Sequence, residues 1–419
     1  MSHARPHLSY KETKIPWLSK IPTHWNCLPL LAVADECDDK NTGLKENNLL
    51  SLSYGRIVKK DINSDQGLLP ESFETYQIIE QDDIVFRMTD LQNDQRSLRS
   101  AISHERGIIT SAYIAVRPRG INASFMSYLM RAYDVTKVFY AMGGGMRQSL
   151  KFEDLRRLQI LVPPPEEQKD ICEFLDRETA RIDRLVTKKT KFLELLKEKR
   201  RAVVTRAVTK GIVSTVKMRD SGDKWLGEVP EHWLVAPIKV FVNCLDGCRI
   251  PLTAEERGEM QGGYPYYGAS GVIDSLNRYI FDEDLVLVSE DGANLTYRTY
   301  PIAFVAKGKY WVNNHAHVVK PHDQCDLFWA ERIDAIDLIP YISGATQPKL
   351  TIESMMNIRI AVPPSIEERI EISKYIEGQS MRIAGLLKKT ERSIELLREH
   401  RSALIAAAVT GKIDVKGAV

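Results

Sequence analysis

Apolar residues in this chain form two kinds of stretch: short runs rich in β-branched and aromatic side chains, and two long segments where they recur every three or four positions. The long segments, 158–211 and 358–411, repeat one another. Each opens with an apolar run that meets Val-Pro-Pro (Val162, Pro163, Pro164 and Val362, Pro363, Pro364), passes through acidic residues, and then keeps helical spacing for more than forty residues. Leu175, Ile182, Leu196 and Val203 fall on a seven-residue lattice, with Ile171, Leu185 and Phe192 on a companion position. In the second copy Ile376, Ile383, Leu397 and Leu404 take the lattice, with Ile372 and Leu386 as companions, so the copies stay 201 residues apart from 175/376 to 203/404. Polar interruptions are kept as well, Lys189 with Thr390 and Lys199 with His400. A seam repeated with its interruptions predicts two helices that pair with each other. Ser365 with Glu368 fits a capping box, the first copy sets Pro165 and two glutamates there, and Gly211 and Gly411 stand as stops.

Period-two runs lie between these segments. Residues 49–55, 83–88 and 107–118 read as strands and 124–142 as a helix; further on, 284–294, 300–308 and 315–321 read as strands and 328–342 as a helix. Each set is introduced by the same phrase, WLSKIPTHW at 17–25 and WLGEVPEHW at 225–233, whose tryptophans suit core anchoring. The division predicted is a first globular region at 1–162, a long helix at 163–213, a second globular region at 214–362 and a second long helix at 363–419.

Composition narrows the function classes. The 419 residues carry a net charge of only +2, so any nucleic-acid surface must be local. No eighteen apolar residues run together and the start, MSHARPHLSYKETKIPWL, has no signal-peptide core; the chain is expected in the cytoplasm, away from membranes. Six scattered cysteines without a C-x-x-C are expected as reduced thiols. Cys244, Cys248, His315 and His317 can be drawn as a zinc set, but the spacing matches no zinc pattern and no metal is expected.

The whole arrangement resembles the specificity subunit of type I restriction-modification systems. The phrases that carry the resemblance are IPTHW and VPEHW, the VPPPEEQ and VPPSIEE starts of the long helices, and the endings Thr209-Lys210-Gly211 and Thr410-Gly411-Lys412. YPYYGASGVID (264–274) and GIITSAYIAVRP (107–118) are similar to pieces of that family's recognition domains. The second helix start departs from the family in placing Arg369 after Glu368, where glutamine is usual. The resemblance implies an α+β fold: two globular α+β target-recognition domains joined by a long antiparallel two-helix coiled coil in a pseudo-twofold repeat. It also implies partners, namely double-stranded DNA, two methyltransferase subunits that use S-adenosylmethionine, and restriction subunits that use ATP and Mg; this chain itself would bind no cofactor.

Such a layout suits duplex DNA, because two-headed readers set their heads about one helical turn apart, roughly 34 to 36 Å. Unlike heads would read unlike half-sites separated by unspecified bases, with helix length setting the gap. Side chains suited to base edges and phosphates stand near turns: Gln92, Arg96, Ser97, Arg99, Arg147, Gln148 and Lys151 in the first region. Tyr264, Tyr266, Tyr267, Ser270, Gln347 and Lys349 are their counterparts in the second. The loops ending in MRQSLK and ATQPKL occupy matching positions just before the shared strand.

Catalytic signatures are missing. No Asx/Ser-Pro-Pro-aromatic loop, G-x-x-x-x-G-K-[ST], H-E-x-x-H or nucleophile elbow occurs, which predicts a reader without chemistry of its own. A second reading fits the same periodicity, a non-enzymatic coiled-coil scaffold presenting two protein-binding domains. Salt dependence separates them, since phosphate contacts release counterions and protein contacts need not.

Overall fold

Two continuous helices, Pro165–Lys210 and Ile366–Val409, occupy the repeated segments. Both begin for local reasons. Pro165 supplies a preset φ where its missing N–H is not needed, and Ser365 Oγ accepts the Glu368 amide at 3.4 Å. Glutamates 166, 167, 367 and 368 complement the positive end of each helix dipole. Both end at a glycine in left-handed conformation, Gly211 at φ 77° and Gly411 at φ 69°.

The computed structural model describes residues 5–62, 70, 72–91, 93–94, 97–142, 149–344 and 347–416. Two units emerge: Met1–Thr190 with Arg392–Val419, and Lys191–Glu391, so half of each long helix belongs to each unit. Among the described residues no helix is long and apolar enough to cross a membrane.

The first unit holds a four-stranded sheet of β1 (Ala34–Glu36), β2 (Ile84–Phe86), β3 (Ser100–Ile102) and β4 (Ile114–Pro118), in the order β1-β4-β2-β3 and antiparallel throughout. The second holds β5 (Val242–Cys244), β6 (Leu285–Ser289), β7 (Ala303–Ala306) and β8 (Ala316–Pro321), in the order β5-β8-β6-β7 and again antiparallel. Register agrees too. Val116 lies between Ile84 and Glu36, as Val319 lies between Val286 and Cys244. A helix covers each sheet, Ala123–Val135 in the first unit and Asp326–Asp334 in the second. Phe125, Met126, Leu129 and Met130 close one core over Ile84 and Phe86; Phe328, Trp329 and Ile333 close the other over Val286 and Val288. Strands Gln159–Val162 and Arg359–Val362 lead from each core into the long helices, paired with Asn26–Pro29 and Leu234–Pro237. The second unit adds a sheet of its own, from Gln261–Gly268, Gly271–Leu276, Phe281–Asp282 and Lys309–Val312.

Several elements are shorter than their sequence pattern. The strand expected over 107–118 is two, Gly107–Ile109 and Ile114–Pro118, because Tyr113 N–H closes a turn onto Thr110 O at 3.0 Å. The helix expected over 124–142 breaks at Lys137, whose φ is 63°, with Thr136 Oγ1 bonded back to Ala132 O.

The long helices run antiparallel within each unit. In the first, Arg401 grips Asp183 at 2.9 and 3.2 Å, and Ile171, Phe174 and Leu175 share a core with Ile405, Ala408 and Val409. In the second, Val204, Ala207 and Val208 share a core with Ile372 and Ile376. Numbers fall on one helix as they rise on the other. Arg5 also pairs with Asp414, whose N–H lies 2.6 Å from Arg5 O.

The main row of the predicted seam, Leu175, Ile182, Leu196, Val203, Ile376, Ile383, Leu397 and Leu404, is buried or half-buried, and so are Ile171 and Ile372 of the predicted companion row. Leu185 and Leu386 are corrected: they are 38% and 40% exposed, and Phe192 is exposed beside them. The true companion row is Thr179, Val186, Leu193, Arg200 and Ala207, repeated 201 residues later as Ser380, Leu387, Ile394, Arg401 and Ala408. It sits three to four residues from the main row on the same face, whereas 185 and 192 turn outward.

Candidate nucleic-acid interface

The two loops singled out by sequence are anchored alike. Leu150 N–H bonds Met88 O at 2.9 Å just past β2, and Leu350 N–H bonds Glu290 O at 2.8 Å just past β6. Each is followed by a short helix, Phe152–Leu155 or Ile352–Asn357, begun by the exposed Lys151 or by Thr351. Gln347 and Lys349 are exposed, and Lys349 Nζ is 3.2 Å from Glu290. Gln92, Arg96, Arg147 and Gln148 lie outside the described residues.

Other candidates separate by burial. Arg99 is corrected from reader to internal brace: it is fully buried, and its guanidinium donates to the carbonyls of Thr89, Asp90 and Asp94 and to Tyr140 Oη. Its own N–H is taken by Asp134, a carboxyl that burial pushes up. Tyr266 is corrected as well. It is 1% exposed, accepts Leu252 N–H at 3.2 Å and lies under the Arg257 guanidinium. Tyr267 packs between Phe304 and Tyr310, and burial raises its phenol. Tyr264 is half-buried, edge-on to Tyr279 at 5.0 Å, while Ser270 sits exposed in the turn of the 261–276 hairpin. Ser97 N–H is held by Asp94 at 2.9 Å.

Exposed aromatics missed by sequence reasoning stand at turn tips. Tyr54 (82% exposed, φ 47°) precedes Arg56 on the Leu50–Lys59 hairpin, and Tyr297 and Tyr300 flank Arg298 (φ 51°). The detectable signal was a tyrosine next to glycine or arginine between two strand patterns. Behind these tips each unit has a cleft. The first, about 210 Å³, is lined by Tyr54, Arg56, Arg131, Asp183 and Arg401. The second, about 340 Å³, is lined by Arg200, Arg201, Arg298, Glu331 and Asp334. Arg401 and Arg200 are the same position of the repeat. Burial lowers the Arg131 and Arg298 guanidinium pKa values, Asp134 and Asp334 oppose that, and neighbouring arginines reinforce it. Arginines crowded this way suit an anionic surface in contact with them.

Comparison with known proteins decides the family. The sequence model of the type I restriction modification DNA specificity domain matches residues 99–195 and 230–404, more than half of the chain. The chain belongs to this family. A putative type I restriction enzyme specificity subunit of Haemophilus influenzae is 31% identical over 143 residues, 34% of this chain and 36% of that protein. The putative MjaX specificity subunit of Methanocaldococcus jannaschii is 23% identical over 316 residues, 71% of this chain and 69% of that one. Two solved structures share the fold. A chain from work on complex assembly and conformational transition of the type I R-M system superposes with TM-score 0.62 at 16% identity, covering 94% of this chain and 99% of that one. The HsdS subunit from Thermoanaerobacter tengcongensis gives 0.54 at 14% identity, covering 96% and 100%.

In this specificity-domain protein the two histidines drawn into the zinc set are otherwise committed. His315 lies 2.8 Å from Asp291; His317 lies 2.6 Å from Asp246 and 2.9 Å from Leu350 O. Burial pushes the Cys244 thiol up to about 12. Asp246, Glu290 and His317 do converge, but Arg249 Nη1 at 2.7 Å from Glu290 and Lys349 Nζ at 3.2 Å already supply the cations. Through His317 this network also holds the backbone at Leu350.

Proposed function

We propose that this specificity-domain protein reads a bipartite, asymmetric DNA target, each globular region taking one half-site. One observation carries the reading: the same four-stranded ladder and the same loop anchor recur, on Met88 and on Glu290, while the loops mounted there differ. A repeated frame with unlike loops suits two half-sites of unlike sequence. Exposed Lys151, Ser270, Gln347 and Lys349, and the tips at Tyr54 and Tyr297, are the side chains offered to bases and phosphates.

The long helices offer docking faces. Leu185 and Leu195 on the first are exposed, and so are their repeats Leu386 and Leu396 on the second. Apolar side chains kept outside twice, at the same interval, suit two equal partners, the methyltransferase subunits, with restriction subunits joining them. S-adenosylmethionine, ATP and Mg would be held by those partners, in the cytoplasm where the DNA is.

The test is binding to duplex DNA by this chain with its methyltransferase partners across a salt series. Affinity should fall at least about 100-fold between 50 and 200 mM salt. Affinity indifferent to salt would favour the protein scaffold instead.

A further inference from the structure

The arm before the Tyr10–Ile15 strand carries a feature that DNA reading does not use. Glu167, in the first turn of the Pro165–Lys210 helix, is 3% exposed. Its Oε2 lies 2.7 Å from His24 Nε2 and its Oε1 3.8 Å from His7 Nε2, with the two imidazole rings 5.6 Å apart. All three donor atoms lie within 4.8 Å of one another. The three residues come from separated pieces of chain, the arm, the IPTHW phrase and the helix start.

The repeat supplies an internal comparison. In the second copy His232 meets Glu368 at 3.0 Å, and Trp233 Nε1 donates to the same carboxylate at 3.0 Å. Tyr10–Ile15 pairs with Leu18–Pro22 and Met218–Asp220 with Glu228–Pro230; their register, Tyr10 on Pro22 and Met218 on Pro230, sets Thr215 where the first copy has His7. So the copy without the third donor spends its glutamate on its own tryptophan. In the first copy Trp25 is fully buried and its Nε1 has no partner among the described residues, while Glu167 faces two imidazoles instead. Leaving a buried donor unpaired is unfavourable, and a bare His–Glu pair does not demand it, since the second copy makes that pair and satisfies its indole as well.

We propose that His7 Nε2, His24 Nε2 and the Glu167 carboxylate bind one divalent transition-metal ion, of the Zn²⁺ class. Two imidazoles and a carboxylate suit such an ion and not Mg²⁺ or Ca²⁺, and tetrahedral bonds of about 2.0 to 2.2 Å need only small closing movements. A fourth position is left for water on the side where His24 is half exposed. The ion fastens the arm, which also pairs Arg5 with Asp414, onto the start of the long helix. It acts as a structural clasp.

The experiment is Co²⁺ and Zn²⁺ titration of the untagged full chain after EDTA stripping. One equivalent should bind with no thiolate-to-cobalt charge-transfer band. His7→Ala and the half-exposed His24→Gln should each weaken binding at least about tenfold, and His232→Gln should leave it unchanged. No uptake by the folded wild-type chain, uptake indifferent to both first-copy variants, or a thiolate band would each overturn the assignment.

Discussion

Arg369 binds the carboxylate of Asp323, and the positions 201 residues earlier are held by Gln168 and Asn122. Gln168 Oε1 accepts the Asn122 amide at 2.7 Å, and its Nε2 donates to Pro163 O at 2.8 Å; Arg369 Nε donates to Pro363 O at 3.1 Å. Both pairs tie the first turn of a long helix to the start of the helix that covers a sheet. One copy uses a neutral bond and the other an ion pair, so the departure at Arg369 is matched by a change in its partner.

That matching predicts a coupling. Arg369→Gln alone leaves the Asp323 carboxylate, only 11% exposed, without its cation and should cost about 3 to 5 kcal/mol. Adding Asp323→Asn should restore a large part of it. A double-mutant cycle followed by thermal unfolding checks this; strictly additive losses would contradict it.

Arg99→Ala should destabilise the first unit by several kcal/mol, about 3 or more, because it empties a fully buried site and three backbone carbonyls lose their donor. The salt slope of DNA binding should stay as in the wild type. A slope reduced by about one unit, with stability unchanged, would return Arg99 to the phosphate-contacting set.

Outward and inward leucines of the helices should respond differently. Leu386→Glu should change stability by less than about 0.5 kcal/mol yet weaken capture of the methyltransferase partner, whereas the half-buried Leu387→Ala should cost about 2 kcal/mol. Unfolding and co-purification read the two effects separately.

Acid should loosen the second unit. Burial works against the charged forms of Asp246 and Glu290, but His317 and Arg249, with Val318 N–H for Asp246 and Lys349 for Glu290, outweigh it and hold both carboxyls below their ordinary values. Groups depressed in the folded state contribute stability above their unfolded values, near pH 4, and lose it as pH falls through the folded ones. Melting temperatures between pH 3 and 7 should therefore drop less steeply in Asp246→Asn than in the wild type.

The sequence made the helices and the repeat legible because period and offset are written in apolar residues that packing requires. The companion row was not legible. Thr179 is buried and Ser380 half-buried while Leu185, Phe192 and Leu386 are exposed, so hydrophobic identity pointed to the wrong column. Residue type was equally silent on burial: Arg99 and Tyr266 have the chemistry of a DNA contact and the surroundings of a core. His24 and Glu167 could have been found, since both copies of the phrase end in His-Trp and both helices start with two glutamates, but nothing in one sequence says that these stretches touch.

The most direct measurement is a genome-wide map of methylated adenines in a host expressing this chain with its methyltransferase subunit. Two short unlike half-sites separated by a fixed run of unspecified bases are predicted. A continuous or palindromic motif would contradict the assignment of one half-site to each globular region.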